Sequence, residues 1–218
     1  TTDGEASQIT IGIPQDLNSL DPNKAVGSGT LEILFNIYEG LYKPDSDGNL
    51  IPAVASDYTV SDDKKVYTFT LRDGIQFHNG NPVTVEDVKY SIEKCAGNGT
   101  GEPLISAFSN IESVVTPDEQ TVVINLSEPK DDFLAIVSTV SAAIVPADVD
   151  DLETNPVGTG PYKFVSRSLQ ENVVLKKFDE YWGEPAHIED VTLKVIADGD
   201  SIVMNLQGGS IDMMARIT

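Results

Sequence analysis

The sequence predicts an α/β fold in which helices pack on mixed sheets. Three observations support this prediction. Apolar residues alternate at period two in several short segments, they recur at helical spacing in others, and the two kinds of segment alternate irregularly along the chain. A length of 218 residues is enough for one large or two small domains with a sizeable core.

The N-terminal part of the chain predicts a strand, a loop and a helix. Residues 9–13 alternate apolar and polar side chains, as a half-buried strand does. Aspartate, proline and glycine residues favour a loop over residues 21–29. Apolar residues then recur at helical spacing over residues 30–41, and Gly40 and Pro44 are expected to end this helix.

The next part predicts a turn, a strand and a capped helix. Asp47-Gly48 is typical of a tight turn. Residues 66–71 alternate as a strand does, with one face formed by Tyr67, Phe69 and Leu71. Thr84 and Asp87 resemble a capping box, and Cys95 falls on the apolar face of the helix that they begin. We therefore interpret Cys95 as a core residue.

The second half predicts further strands and two helices. Two β-rich runs separated by "TPDEQ" are typical of a hairpin. The predicted elements are hairpin strands at 114–115 and 121–126, a helix at 131–140, an apolar strand ending at Pro146, strands at 162–166, 173–177 and 191–195, and a helix at 200–206 stopped by Gly208 and Gly209.

Charge and composition exclude several classes of function. The chain has 14 basic and 35 acidic residues, a formal net charge of −21, and such a chain repels phosphate backbones and anionic lipid surfaces. We therefore expect no nucleic-acid partner. The single cysteine excludes an internal disulfide and a thiolate zinc cluster. The longest uncharged apolar run, residues 133–147, is shorter than the ~20 residues that span a bilayer.

Catalytic motifs are scarce in this sequence. The two histidines, His78 in a predicted turn and His187 in a predicted surface loop, lie far apart and lack the spacing of a metal site. "VGSGT" does not have the G-x-S-x-G spacing of a hydrolase elbow, and neither "GNGTG" nor "GTGPY" continues as a phosphate-binding loop. No cofactor and no catalytic residue are predicted. Because carboxylates are abundant, a carboxylate-based hydrolase stays open as an alternative.

The glycine-rich loop at residues 26–30 is a candidate binding segment. Its glycines leave backbone groups accessible to a ligand just before a predicted helix. A simple connector would have the same composition. From these residues alone, the two interpretations are equally supported.

Several motifs along the chain resemble one protein family. They are "LNSLDP", "NIYEGLYKPDSDGNLIPAVASDYTVSDDKKVYTFTLRDGIQFHNGNPVTVEDVKYS", "VGTGPYKF", "FDEYWGEPAHIEDVTLKVI" and "GGSIDMM", in that order. Together they are similar to the family 5 extracytoplasmic solute-binding proteins of ABC importers for oligopeptides, dipeptides and nickel. The resemblance covers about residues 9–214, and five motifs in register make it specific.

The resemblance implies a fold like that of type II periplasmic binding proteins. The first ligand-binding lobe would comprise residues 1–42 and 158–218, and a second domain, residues 43–157, would be inserted between them. The stretch at residues 71–88 would be scaffold within this insert. A third domain, which closes on the ligand in similar proteins, is expected to be missing from this chain.

The resemblance also implies a binding site. The family segment that lines the ligand matches Val26, Gly27, Ser28, Gly29, Thr30 and Leu31, and a second stretch near the ligand in some members matches Ser141 and Ala142. This second stretch carries no Arg or His, which argues against a nickel chelate or an anion. A peptide-like solute is therefore predicted, and nickel or another small solute is the alternative.

The implied function is that of a transport receptor. Similar proteins capture a solute outside the cytoplasmic membrane and deliver it to the permease subunits of an ABC importer. The polar opening residues, 1–8, have the composition of a tether. We therefore expect a lipid-modified cysteine directly before Thr1 or just upstream of it in the natural precursor.

Overall fold

The computed structural model describes residues 7–215, so the predicted tether lies outside the described residues except for Ser7 and Gln8. The helices and strands, in chain order, are β1 (Gln8–Ile13), α1 (Ser28–Leu34), β2 (Tyr42–Pro44), β3 (Leu50–Pro52), β4 (Ala55–Val60), β5 (Val66–Leu71), α2 (Val85–Cys95), β6 (Ile111–Asp118), β7 (Thr121–Leu126), α3 (Phe133–Val137), β8 (Tyr162–Ser168), β9 (Asn172–Lys177), β10 (Asp190–Val195), α4 (Gly199–Gly208) and β11 (Met213–Met214). Within residues 7–215, no helix is both long and apolar enough to cross a membrane.

One sheet is mixed and joins distant parts of the chain. Its strand order is β11-β1-β10-β9-β8. The central strand β1 runs parallel to both β10 and β11, whereas β10, β9 and β8 pair antiparallel. The sheet thus includes the predicted strands at 9–13, 162–166, 173–177 and 191–195, and the prediction of a mixed α/β fold is confirmed.

A second sheet is entirely antiparallel, in the order β4-β5-β7-β6. In β5 the side chains of Tyr67, Phe69 and Leu71 are buried, as their alternation predicts. The predicted hairpin at 114–126 is the β6–β7 pair. A separate two-stranded ribbon, β2 and β3, encloses the predicted turn at Asp47-Gly48.

Each of the two sheets has its own hydrophobic core. One core packs the four-stranded sheet against α2 and α3, and it includes Ile75 and Phe77 from the scaffold stretch. The other packs the five-stranded sheet against α1, and Ala143, Val145 and Leu152 join it. The division of the chain into residues 43–157 and the flanking segments stays a prediction.

The helix α2 begins as its sequence predicts. The Thr84 side chain accepts a hydrogen bond from the Asp87 backbone N–H at 3.3 Å, and the Asp87 carboxylate accepts one from the Thr84 backbone N–H at 3.0 Å. On the apolar face of the helix, Cys95 is 1% exposed. Burial raises the pKa of the Cys95 thiol to about 11, so the thiol is an inert core group, as expected.

The predicted helix at 30–41 is wrong in its length. The helix α1 ends at Leu34, and Tyr38 and Leu41 are buried in the irregular chain that follows. The backbone carbonyls of Asn36 and Ile37 instead accept hydrogen bonds from Tyr162 at 3.0 Å and Gly160 at 2.9 Å. Because these carbonyls bond a distant loop, the chain leaves the helical path.

The predicted apolar strand ending at Pro146 is also wrong. The predicted helix at 131–140 is the short α3, and a 3₁₀ turn, Val140–Ala142, follows it. After this turn Ile144 donates a backbone hydrogen bond to the Glu39 carbonyl at 2.9 Å, and Val145 donates one to the Ser91 hydroxyl at 2.9 Å. The segment is apolar because it is buried between the two cores.

The last helix, α4, includes the predicted residues 200–206. The Asp198 carboxylate accepts hydrogen bonds from the first turn and caps its N-terminus. Gly209, with φ of 75°, ends it in the left-handed conformation that glycine favours.

Candidate functional site

The glycine-rich loop presents only part of its predicted binding residues to solvent. Val26 is 68% exposed, and Gly27 and Ser28 are exposed as well. Leu31 is half-buried, whereas Gly29 and Thr30 are buried at the start of α1. The loop therefore offers a short accessible surface, residues 26–28, with the Leu31 side chain beside it.

The side chain of Asn18 holds this loop in place. Its amide oxygen accepts a hydrogen bond from the Val26 backbone N–H at 3.1 Å, and its amide nitrogen donates to the Lys24 carbonyl at 3.3 Å. The Asn18 backbone N–H also donates to the Thr30 hydroxyl at 3.4 Å. One asparagine thus connects both ends of the loop, so its position does not depend on a solute.

A positive φ explains one of the two glycines in the loop. Gly27 has φ of 87° and ψ of 137°, a combination that side chains with a Cβ rarely adopt. Nothing lies within 4 Å of the place where a Cβ would stand, so backbone conformation alone selects glycine. The helix α1 has seven residues, and its N-cap residue, Gly27, has no side chain that could cap it. The position of the loop therefore rests on the hydrogen bonds of Asn18.

The second predicted stretch, Ser141-Ala142, is fixed by hydrogen bonds to Ser141 and by packing of Ala142 in the core. The Ser141 carbonyl accepts hydrogen bonds from the Asn23 side-chain amide at 3.0 Å and from the Cys95 thiol at 3.6 Å. Ala142 is 1% exposed, and its side chain packs in the core of the four-stranded sheet. The accessible surface here comes from the exposed Thr139 and from the half-buried Val140 and Ser141, whereas Ser138 is 6% exposed.

The start of α1 and residues 138–140 line one open groove of about 400 Å³. Of the eight predicted binding residues, Ser28 and Leu31 line this groove, whereas Val26, Gly27, Gly29, Thr30, Ser141 and Ala142 do not. The β2–β3 ribbon closes one end with Pro44 and Leu50, and the remaining lining residues are Glu32, Phe35 and Ala135. Six of these side chains are apolar, namely Leu31, Phe35, Pro44, Leu50, Ala135 and Val140.

His78 lies away from the groove and supports the glycine loop of "GTGPY". Its Nε2 lies 2.9 Å from the Gly160 carbonyl and therefore carries the hydrogen, and its Nδ1 accepts from the Gly158 backbone N–H at 3.3 Å. Burial lowers the pKa of His78 to about 4. The ring is therefore neutral and both nitrogens are occupied, so His78 is a structural residue.

A buried carboxylate, Glu39, joins several segments of the chain. It accepts hydrogen bonds from Thr159 at 3.0 Å, Tyr181 at 2.7 Å and Trp182 at 2.8 Å, and pairs with the Lys43 ammonium at 2.9 Å. Its four partners leave no lone pair directed at a substrate. Among residues 7–215, no group of three or more His, Cys, Asp or Glu side chains is placed to hold a metal ion.

The sequence did not single out Asn18, Asn23 or Leu50 as contributors to this site. The first two lie in or next to the motif "LNSLDP", and asparagine in a loop commonly bonds nearby backbone groups. That signal could have identified them as positioning residues. Leu50 gave no such signal, since only the folded chain brings the β2–β3 ribbon to the groove.

The family of the chain follows from comparison with known proteins. The family model for bacterial extracellular solute-binding proteins, family 5 (middle), matches residues 49–218, which is more than half of the chain. The chain belongs to family 5 of the bacterial extracellular solute-binding proteins. Members of family 5 are transport receptors of ABC importers, and they work in the periplasm or elsewhere outside the cytoplasm.

Individual members of family 5 are similar over nearly the whole chain. The glutathione-binding protein GsiB of Escherichia coli O1:K1 / APEC is 29% identical over 211 residues, which cover 94% of this chain and 41% of GsiB. The chain thus spans about two-fifths of the length of this relative.

Solved structures of family 5 show the same fold. The periplasmic binding protein DppA of Helicobacter pylori, in complex with the peptide STSA, superposes with a TM-score of 0.85 at 27% identity, covering 94% of this chain and 46% of DppA. AgaA of A. tumefaciens R10, in complex with agropinic acid, gives 0.86 at 30% identity, covering 94% and 43%. The expected fold of type II periplasmic binding proteins is thereby confirmed.

Proposed function

We propose that this chain supplies one side of the solute-binding surface of an ABC-importer receptor. The receptor captures a peptide-like solute outside the cytoplasmic membrane and delivers it to the permease. One observation carries the proposal: Ser28 and Leu31 of the loop and residues 138–140 line one open groove. DppA, a relative with the same fold, binds a peptide.

Binding calorimetry with a peptide library tests this proposal on the protein encoded by the natural gene. Leu31→Arg places a long charged side chain in the groove, and we expect it to weaken binding at least about tenfold. Leu169→Arg makes the same change at a side chain that is 74% exposed and does not line the groove, and it should bind as the wild type does. Equal affinities for both variants would place the site elsewhere.

A nickel chelate is the alternative solute within the family. The groove is lined by no histidine or cysteine among the described residues. Nickel–histidine included in the same calorimetry distinguishes the two, and a nickel chelate that binds more tightly than every peptide would replace the peptide in the proposal.

We further propose that the protein is not an enzyme. The carboxylate-based hydrolase, the rival from another class, needs two carboxyl groups facing one substrate site. Glu32 is the one carboxylate among the described residues that line the groove, and Glu39 is buried and bonded to four partners. Peptidase, esterase and glycosidase substrates should show no turnover, and hydrolysis abolished by Glu32→Gln would favour the rival.

The anchoring of the protein is a separate proposal. We propose a lipid-modified cysteine directly before Thr1 or just upstream of it, because a polar segment at residues 1–8 suits a receptor held near its permease. The codons upstream of Thr1 and the membrane fractionation of the natural product test it. A precursor without such a cysteine would contradict the proposal.

A further inference from the structure

We infer that the groove between the glycine loop and residues 138–140 receives an apolar part of the solute that carries no negative charge, and that Glu32 enforces this selection. The inference rests on the proposed function, because it names the class of solute group that the same site accepts. The apolar surface, the hydroxyl orientations and the charges around the groove each support it.

The apolar surface comes from three elements. Leu31 belongs to α1 and Phe35 directly follows it, Leu50 belongs to β3, and Val140 follows α3. Leu50 is 36% exposed. Burial of an aliphatic or aromatic group against these side chains removes apolar surface of both partners from water, which is favourable.

The exposed hydroxyl beside this surface, that of Thr139, is oriented as an acceptor. It donates its hydrogen to the Ile136 carbonyl at 2.8 Å, and the hydroxyl of the buried Ser138 likewise donates to the Leu134 carbonyl at 2.6 Å. Each hydroxyl has one hydrogen, so a solute at Thr139 meets only the oxygen lone pairs. A solute N–H group can donate to this oxygen, whereas a carboxylate, which only accepts, would meet a further acceptor.

The charge at the groove has the same sign as a carboxylate. Glu32 is exposed and is the one ionisable side chain among the described residues that line the groove. Cations on adjoining segments already face acids: Lys43 pairs with Glu39 at 2.9 Å, and Lys130 with Asp132 at 3.3 Å. A solute carboxylate therefore meets repulsion with no described cation in the groove to offset it.

The charge of Lys24, which precedes the loop, does not offset the negative charge of Glu32. Its ammonium lies 4.0 Å from the Asp21 carboxylate, and its side chain is 70% exposed. Lys24 does not line the groove. When an enclosed solute excludes water from the groove, the repulsion between Glu32 and a solute carboxylate becomes stronger.

Calorimetry with tripeptides tests the inference on the protein encoded by the natural gene. The peptides are Ala-Ala-Ala and its relatives with Leu, Asp or Lys at each position in turn. At the position that faces the groove, we expect the Leu peptide to bind at least about tenfold more tightly than the Asp peptide. Glu32→Lys should reverse the preference between the Lys and Asp peptides.

The control variant is Glu128→Lys, which makes the same change of net charge at an exposed residue outside the groove. It should leave the ranking of the peptides unchanged. Peptide binding in which Asp is preferred, or in which Glu32→Lys and Glu128→Lys act alike, overturns this inference and leaves the proposed function standing. No binding of any peptide by the wild type overturns the proposed function, and the inference with it.

Discussion

At the scale of single residues, His78 predicts a specific pH dependence of stability. Burial of the ring disfavours its charged form and lowers its pKa to about 4 in the folded chain, against 6.5 when unperturbed. Between these two pH values the unfolded chain binds a proton that the folded chain does not. The contribution is therefore complete above about pH 6.5 and decreases as the pH falls towards 4, by about 3 kcal/mol in total.

Urea unfolding at several pH values between 4 and 7 measures this contribution. His78→Gln removes the titrating group, so the difference in unfolding free energy between wild type and variant should shrink as the pH falls. His187→Gln, the same replacement at an exposed position, is the control. A wild-type advantage that stays constant with pH would contradict the neutral His78.

Asn18 predicts an effect on loop order. Asn18→Ala removes the side-chain hydrogen bonds to Val26 and Lys24, and we expect a loss of about 1 kcal/mol of unfolding free energy together with weaker solute binding. Asn49→Ala, at an exposed position in the β2–β3 turn, is the matched control. Thermal unfolding and calorimetry together check the prediction, and unchanged solute affinity would show that the loop needs no such support.

At the scale of elements, the sequence predicts the helices and strands whose signals lie within a few neighbouring residues. The capping box of α2 and the alternation of β5 specify their structures within a few residues, and both predictions are confirmed. The end of α1 depends on the loop at Gly160 and Tyr162, more than 120 residues away, so helical spacing alone could not place it. The buried run before Pro146 shows that an apolar segment indicates burial without specifying a strand.

The distinction between local signals and contacts of distant segments also applies to the candidate site. Glycine composition identifies the loop at residues 26–30, and the family resemblance adds Ser141 and Ala142. Which side chains face the groove depends on packing: Ala142 is buried, while Val140 lines the groove. The role of the whole set in solute binding stays a prediction until affinities are measured.

Gly158 packs closely against the backbone at Ile37, so one added methyl group should lower the stability strongly. A Cβ at Gly158 would overlap the backbone carbonyl of Ile37, and a backbone atom cannot turn aside as a side chain can. We expect Gly158→Ala to lower the unfolding free energy by about 2 kcal/mol or more. Gly199→Ala, where nothing lies within 4 Å and the residue begins α4, should be neutral or stabilising by up to about 1 kcal/mol. Equal midpoints in urea for the two variants would refute the packing argument.

At the scale of the whole molecule, the Glu39 cluster connects the two sheets. Its partners come from the ribbon strand β2, from the loop before β8 and from the segment after β9. Arg72, at the end of β5, adds its guanidinium 3.9 Å from the centre of the Trp182 ring. A single carboxylate thus fixes segments that lie far apart in the sequence.

Removal of this carboxylate should cost much more than removal of a more exposed one. Glu39→Ala leaves the Lys43 ammonium, whose side chain is 19% exposed, with the Tyr181 hydroxyl but without its carboxylate partner, and we expect a loss of about 3 kcal/mol or more. Glu93→Ala breaks the pair with Lys89, in which the Glu93 side chain is 27% exposed and the charged atoms lie 3.6 Å apart, and should cost less than about 1 kcal/mol. The double variant Glu39→Met, Lys43→Met should recover part of the loss, and a strictly additive result would show that the pair is not coupled.

The two cores predict that the molecule unfolds in two steps. The central strands β5 and β7 are paired on both sides and buried in their own core. The five-stranded sheet instead borders an apolar groove of about 320 Å³, and no residue of the adjoining α4 is buried. Hydrogen exchange of the 218-residue chain in increasing urea should therefore show that amides of β1, β9 and β10 open at lower urea than those of β5 and β7. If both sheets open with the same urea dependence, the chain is one cooperative unit, and the division at residues 43–157 is wrong.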